Sequence, residues 1–134
     1  LSYNILIRMG MEVGDAATIA AAVGNHDEGT GNAVDPISAA LILADKSDVR
    51  NTRVRQKNES MYDIHDRVNS AVKRSEIEID NEKGIICLKM EIDTEISSVM
   101  DYFEIFLNRM LMCRKSADFF GMKLKIEANN MRLL

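Results

Sequence analysis

The segment spanning residues 25–48 concentrates side chains that could bind a divalent metal ion. The candidate residues are His26, Asp27, Glu28, Asp45 and Asp48. Asp45 and Asp48 are three residues apart, so on a helix they would lie on nearly the same face. Imidazole and carboxylate ligands suit Mn, Mg, Fe or Zn. These residue types predict part of a metal site if the elements that hold them are neighbours; the alternative is a solvated acidic helix edge.

Two helices and a short loop are predicted to position these residues. The alanine-rich run after Asp15 predicts a helix that is capped by Asp15 and ends near His26. A histidine at that end is favoured as a cation by the helix dipole, so a metal ion would compete with a proton there. The pair Asp35-Pro36 predicts the start of the next helix, because Asp is a good N-cap and Pro suits the first helical position.

The second predicted helix has an apolar stripe that we expect to be buried. Its members are Ile37, Ala40, Leu41 and Ala44. Between the two helices, Gly29 and Gly31 permit a tight connection in which the backbone approaches a ligand or another segment. The loop follows a helix and lacks a lysine at P-loop spacing, so it is weak evidence for a phosphate cradle.

A basic run follows Asp48 and contains Arg50, Arg53 and Arg55. Guanidinium groups bind phosphate bidentately, so these residues are candidates for contacting a phosphorylated small molecule or nucleotide. A solvated basic linker is the alternative. Nucleic acid is not predicted as the main partner, because the net charge is −4 and no aromatic residues are interleaved with the arginines.

The patterns IAAAVGNHDEGTG and PISAALILADKSDV resemble the second half of the HD superfamily of metal-dependent phosphohydrolases. The resemblance implies a helical bundle whose metal ligands come in the order His, His-Asp, Asp. It implies that Asp45 is the last ligand and that His26 is the counterpart of a histidine at or beside the metal. Asp27, Glu28 and Asp48 would then orient water or the histidine.

The same resemblance implies that the first His and the His-Asp pair lie upstream of Leu1. The NHDEGTG segment loosely matches the paired-histidine segment of the GYP-containing branch, but Asn25 is a departure from that pattern. A literal His65-Asp66 also occurs, and it leaves open an alternative ligand order of His26, His65-Asp66 and Asp101. A polar edge on an amphipathic helix is the simpler explanation of His65-Asp66.

From residue 61 the pattern changes to α-β-β-α-β. A helix through Val68 is followed by a hairpin, whose turn ends at Gly84 and whose second strand points Ile86, Leu88, Met90 and Ile92 inward. A long helix is predicted from Asp93 or Thr94 to Phe120. Its main stripe runs through Ile96, Val99/Met100, Phe103, Phe106/Leu107, Met110/Leu111 and Ala117. Residues 122–128 then form a third strand. We predict an α+β fold with a helical domain at 1–60 and a domain at 61–134 with a three-stranded antiparallel or mixed sheet.

The long helix is apolar over a broader arc than a small sheet needs. We therefore expect it to pack on the helical half or on a second copy of the chain, giving a homo-oligomer through residues 94–120. With 46% apolar and 28% charged residues and no apolar run of membrane-spanning length, the sequence predicts a soluble protein without a membrane partner. Cys87 and Cys113 have no zinc-like spacing, which predicts reduced core thiols and a cytoplasmic location.

Two functions follow from these features. The first is a fragment of an HD-type phosphohydrolase acting on a phosphate ester or nucleotide, inactive by itself because ligands are missing. The second is a non-catalytic dimerisation or sensor module, built from an incomplete HD-like helical piece and an α+β domain.

Overall fold

A computed structural model describes residues 1–54 and 63–133 of this chain. Within them the elements are α1 (Ser2–Arg8), α2 (Val13–Gly24), α3 (Pro36–Ser47), a 3-10 turn (Asn51–Arg53), α4 (Ile64–Ala71), β1 (Val72–Asp80), β2 (Ile85–Ile92), α5 (Val99–Phe119), β3 (Lys123–Ala128) and β4 (Met131–Arg132). The predicted α+β class and the long helix are confirmed. The boundary between the predicted domains falls in residues 55–62, outside the described residues.

The first helices begin at identifiable caps. Helix α2 starts two residues before Asp15, because the Glu12 carboxylate accepts a hydrogen bond from the Gly14 amide at 2.6 Å. The predicted capping role of Asp15 is therefore wrong, and Asp15 lies in the first turn, where its charge suits the helix dipole. Asp35 caps α3 as predicted, with its carboxylate accepting from the Ser38 amide at 2.7 Å.

The buried face of α3 is not the predicted one. Ile37 is 48% exposed, and Ala40 and Ala44 are exposed. The buried side chains of α3 are Ser38, Ala39, Ile42, Leu43, Lys46 and Ser47. Apolar residues occur on more than one face of this helix, so their periodicity could not identify the face that α5 covers.

The sheet has four strands in the order β1-β2-β3-β4, one more than predicted. The hairpin β1-β2 is antiparallel, and Gly84 ends its turn with φ +63. Strand β3 pairs parallel to β2, because α5 crosses back over the sheet between them. The two-residue strand β4 then pairs antiparallel to β3, which makes the sheet mixed.

Helix α5 begins five residues later than Thr94, where Ser98 and Asp101 form a capping box. The backbone before it is used in a turn, since the amides of Ile96 and Ser97 bond the Asp93 carbonyl at 3.2 Å. The helix has 21 residues and a non-helical φ/ψ pair at Phe106. It spans roughly 32 Å rather than the predicted 40 Å.

Part of the predicted stripe of α5 is also exposed. Ile96, Met100 and Leu107 are 46%, 74% and 52% exposed. The residues of α5 that are buried are Tyr102, Phe106, Met110, Cys113, Ser116 and Ala117. The later start and the irregular backbone at Phe106 change which side chains of α5 face the sheet.

Two clusters of buried side chains join α5 to the sheet and to α3. The larger one is formed by Val49, Val68, Ala71, Val72, Leu88, Met90, Ile92, Tyr102, Phe106, Met110, Ile126 and Ala128. The smaller one contains Leu43 from α3, Ile86 from β2, and Cys113 and Ala117 from α5. Helix α5 therefore packs on the helical half of the chain, which is the first of the two arrangements we predicted for it.

Both cysteines are free and buried, as predicted. Burial raises the pKa of Cys113 to about 12 and also raises the pKa of Cys87. Since the thiolate is the reactive form, we expect neither residue to react with a thiol reagent in the folded protein at about pH 8. Both should react after denaturation, and rapid native labelling of Cys113 would contradict its buried position.

Candidate functional site

Several of the predicted site residues meet where the α2-α3 loop, the end of α3 and the middle of α5 come together. Seven charged side chains form a set that we call the charged cluster: Glu28, Asp45, Lys46, Asp48, Arg50, Arg53 and Arg109. Six of them belong to the segments in which the sequence predicted ligands and phosphate contacts. Arg55 was also predicted to contact phosphate, but it lies outside the described residues.

His26 precedes Glu28 by two residues in the chain and has one ring nitrogen fixed. Its Nδ1 is 2.5 Å from the carbonyl oxygen of Val23. Because a carbonyl oxygen can only accept, Nδ1 must hold the proton, and in the neutral ring Nε2 has a free lone pair. The charge of His26 is the smallest of the effects that lower the pKa of Asp45, after those of Lys46 and Arg53.

Asp45 is held by cations of its own chain. Its carboxylate accepts a hydrogen bond from Lys46 Nζ at 2.7 Å and lies 3.6 Å from Arg53 Nη1. Burial acts to raise the pKa of Asp45, but the hydrogen bond from Lys46 and the charges of Lys46, Arg53 and His26 outweigh it, so the pKa is lowered. The side chain of Lys46 is only 6% exposed, so this partner lies in the interior, whereas Asp45 is 28% exposed.

Arg50 and Arg53 form hydrogen bonds around Asp48. Arg50 donates from Nε and Nη2 to the two carboxylate oxygens of Asp48, at 2.7 and 3.1 Å. Arg53 donates from Nη1 to the backbone carbonyls of Asp45 and Asp48, at 3.3 and 3.1 Å. Arg53 therefore caps the carbonyl end of α3 and the residues after it.

The other acids predicted for the site, Asp27 and Glu28, point in different directions. The Asp27 carboxylate accepts from the Glu28 amide at 2.8 Å and so folds back on its own loop. Glu28 instead accepts from Arg109 Nε at 2.6 Å and lies 3.9 Å from Lys46 Nζ. Of these two acids, Glu28 belongs to the charged cluster and Asp27 is exposed on the loop.

Gly31 allows the loop to close tightly behind these acids. Its amide donates to the Asp27 carbonyl at 2.7 Å. A Cβ at this position would overlap the Asp27 carbonyl oxygen and would lie 2.5 Å from the Asn25 carbonyl oxygen. Asn25 closes α2, with its side-chain amide donating to the Ala21 carbonyl at 2.8 Å. The expectation that glycine permits a close backbone approach therefore applies at Gly31.

The described residues do not form a metal site by themselves. Across residues 1–54 and 63–133, no group of three or more His, Cys, Asp or Glu side chains is placed to hold an ion. The alternative ligand order through His65-Asp66 gains no support. Asp101 is used in the α5 capping box, and the centroid of the His65 ring lies 6.1 Å from that of the Phe106 ring. His26 and Asp45 could supply at most two ligands.

The lowered pKa values predict how stability depends on pH. The pKa of Asp48 is lowered first by the hydrogen bond from Arg50, against a smaller opposing effect of burial. A carboxylate with a depressed pKa in the folded state stabilises the protein above its unfolded pKa and loses that contribution as the pH falls through the folded value. We expect the free energy of unfolding to fall between about pH 5 and pH 2, and Asp48→Asn to reduce this dependence.

Denaturant unfolding at several pH values in that range would measure the effect. Arg50→Gln removes the main partner of Asp48 and should reduce the dependence in the same direction as Asp48→Asn. Identical pH profiles for Asp48→Asn and the unmodified protein would contradict the role assigned to this pair.

Sequence reasoning missed two members of this region. Arg109 is 81 residues from its partner Glu28, and Asn69 lies on α4. Both line a cavity of about 250 Å³ together with Asp48 and Arg53. No local pattern distinguishes either residue from an ordinary polar position on a helix surface, so only the packing of α4 and α5 beside α3 identifies them.

The comparisons with known proteins add no relative to this picture: no family model, no curated protein and no solved structure matches the chain. In the part of the chain that the structure describes, no helix is both long and apolar enough to cross a bilayer.

Proposed function

We propose that this chain is part of a cytoplasmic HD-type phosphohydrolase and supplies one side of its metal and phosphate site. The observation that supports this most directly is the 3.6 Å contact between the Asp45 carboxylate and Arg53 Nη1, beside the pair formed by Asp48 and Arg50. His26 and Asp45 come from the two sequence segments that resemble the HD superfamily, and Arg50 and Arg53 follow the second of them. The reaction proposed is hydrolysis of a phosphate ester or nucleotide, and the chain by itself is proposed to be inactive.

In this proposal His26 Nε2 and the Asp45 carboxylate are ligands for a divalent ion such as Mn, Mg, Fe or Zn. The remaining ligands come from outside the described residues. Such an ion lowers the pKa of bound water and offsets charge on the phosphate. Asp45 would have to exchange its contacts with Lys46 and Arg53 for the ion, so both cations would become available to an anionic substrate.

The acids around this pair are proposed to orient other side chains. Glu28 holds Arg109, and Asp48 holds Arg50 through two hydrogen bonds. A carboxylate that fixes a guanidinium in this way reduces the entropy lost when the arginine binds phosphate. The structure supports a role in the site less for Asp27 than for the other predicted acids, because the Asp27 carboxylate accepts a hydrogen bond from the Glu28 amide of its own loop.

Metal content and hydrolysis of a generic phosphodiester with Mn²⁺ or Mg²⁺ test this function. The polypeptide for the test includes the upstream sequence in which the HD resemblance places the other ligands. We expect His26→Ala and Asp45→Asn each to reduce metal content and turnover by at least about tenfold. Asp80→Asn is the matched control, because Asp80 pairs with Lys83 in the hairpin turn, away from the charged cluster.

An extended polypeptide that holds no metal and hydrolyses nothing would overturn the phosphohydrolase proposal. Hydrolysis by the 134-residue chain alone would overturn the narrower proposal that its site is incomplete.

A non-catalytic dimerisation or sensor module is the second candidate. It is supported by the internal pairing of the acids, since Glu28, Asp45 and Asp48 all have cationic partners in the chain. Exposed apolar residues on α5, Met100 and Leu107, are the proposed contact with a second copy. Light scattering should then show a dimer that Leu107→Glu converts to a monomer, and a monomeric unmodified chain would remove this candidate.

A further inference from the structure

The cavity beside the charged cluster has features of a binding site for an anion. It has a volume of about 250 Å³ and is lined by Asp48, Arg53, Asn69 and Arg109. These residues come from the end of α3, the following 3-10 turn, α4 and α5. Two guanidinium groups therefore face one small space that is open to solvent.

Arg109 is held in place but is not saturated with hydrogen bonds. Its Nε donates to Glu28 at 2.6 Å, and its guanidinium carbon lies 4.7 Å from the centre of the Phe106 ring. Among the described residues, Nη1 and Nη2 of Arg109 have no hydrogen-bond partner. A guanidinium fixed at one edge and stacked on a ring presents its other donors in a defined direction.

Arg53 is anchored in a complementary way. It uses Nη1 for the carbonyls of Asp45 and Asp48 and for the Asp45 carboxylate. Its Nε and Nη2 have no partner within residues 1–54 and 63–133. The two arginines thus retain four nitrogen atoms that can donate, while the remaining contacts hold both side chains in position.

The acidic residue in the lining does not cancel these charges. Asp48 is already neutralised by the two hydrogen bonds from Arg50. Asn69 adds a further requirement, because its Oδ1 is buried and has no hydrogen-bond partner in the described part of the chain. An unpartnered buried acceptor costs free energy unless a ligand donates to it.

We propose that this cavity binds the phosphate group of a phosphate monoester. Arg53 and Arg109 donate to the phosphate oxygens, and Asn69 Oδ1 accepts from the hydroxyl of the monoanionic phosphate group, the form populated below about pH 6. Identifying that phosphate as the substrate's rests on the proposed function. The binding itself requires only residues that the structure places around the cavity.

Inorganic phosphate is the probe, titrated into the chain by calorimetry at about pH 6 and constant ionic strength, with a chelator present. Near this pH phosphate retains a hydroxyl group, whereas sulfate has the same shape and no proton to donate. We expect phosphate to bind more tightly than sulfate. We expect Arg109→Gln and Arg53→Gln each to weaken phosphate binding by about tenfold or more.

Three further variants sharpen the test. Arg109→Lys keeps the charge near Glu28 but loses the fork of donors, so it should bind phosphate less tightly than the unmodified chain. Asn69→Ala should remove the preference for phosphate over sulfate. Arg114→Gln is the matched control, because Arg114 is an exposed arginine on the same helix that does not line the cavity.

Thermal unfolding followed by circular dichroism would confirm that each variant is folded. Equal phosphate affinity in Arg109→Gln and the unmodified chain would overturn the proposal, as would an equal loss in Arg114→Gln. Equal binding of sulfate and phosphate would overturn the role of Asn69. Because the chelator removes metal ions, failure here leaves the metal proposal for His26 and Asp45 intact, and failure of metal-dependent hydrolysis leaves the phosphate site intact.

Discussion

Replacing Asp45 with alanine is expected to destabilise the protein by about 2 to 4 kcal/mol. The reason is the position of Lys46, whose side chain is 6% exposed and whose ammonium group lies 2.7 Å from the Asp45 carboxylate. Without Asp45, the closest remaining acid among the described residues is Glu28 at 3.9 Å, which is already bonded to Arg109. A buried ammonium group with so little compensation is costly.

The matched variant is Lys46→Met, which is expected to cost less than about 1.5 kcal/mol. Methionine fills a similar volume, and Asp45 is 28% exposed and retains Arg53 at 3.6 Å. The double variant Asp45→Ala/Lys46→Met should be more stable than Asp45→Ala alone, because it removes the unpaired charge. Denaturant unfolding of all four proteins measures the cycle, and equal costs for the two single variants would contradict the assigned asymmetry.

This asymmetry bears on the function of Asp45. If Asp45 is a metal ligand, loss of metal binding in a destabilised variant must be separated from loss of folding. Asp45→Asn keeps the size of the side chain, and Lys46→Met leaves the proposed ligand in place. A loss of metal in Asp45→Asn but not in Lys46→Met would therefore support a ligand role beyond the ion pair.

Replacing Gly31 with alanine is expected to cost about 2 to 4 kcal/mol. The added Cβ would overlap the Asp27 carbonyl oxygen and would lie 2.9 Å from the Asp27 amide nitrogen. These are backbone atoms, so no side-chain rotation relieves the contact and the loop must open. Opening it moves Glu28 and weakens its 2.6 Å contact with Arg109, so the phosphate site should be affected as well.

Gly29→Ala is the control for this prediction, since a Cβ at Gly29 would have nothing within 4 Å. Gly29 lies in the same loop, two residues earlier, so any general effect of removing a glycine would appear in both variants. Thermal unfolding should show a large decrease for Gly31→Ala and little change for Gly29→Ala. A similar decrease of the unfolding temperature in both variants would contradict the role assigned to the close approach between Gly31 and the Asp27 carbonyl oxygen.

Features that depend on neighbouring residues in the chain could be predicted from the amino-acid sequence. Asp35 caps α3, and the turn before Gly84 closes the hairpin. The alternation of Ile86, Leu88 and Met90 correctly identified the buried face of β2. Each of these depends on a few consecutive residues whose backbone preferences agree, so the local pattern was sufficient to predict the α+β class and most of its elements.

Local pattern was insufficient where several solutions satisfied it equally well. Helix α3 has apolar residues on more than one face, and only its packing against α5 decided that Ile42 and Leu43 are buried while Ile37 is exposed. Likewise, Asp93 and Thr94 were predicted to start the long helix, but Ser98 and Asp101 form the capping box of α5.

The candidate site shows the same division. The candidate residues His26, Asp45 and the arginines after Asp48 could be identified from the sequence, because they lie close together in the chain. Their partners could not: Arg109 reaches Glu28 across 81 residues, and Asn69 lies on a different helix. Contacts between residues far apart in the chain depend on how the helices and the sheet pack. The pairing of the acids Glu28, Asp45 and Asp48 with basic side chains, and the cavity lined by Arg53 and Arg109, therefore became evident only in the tertiary structure.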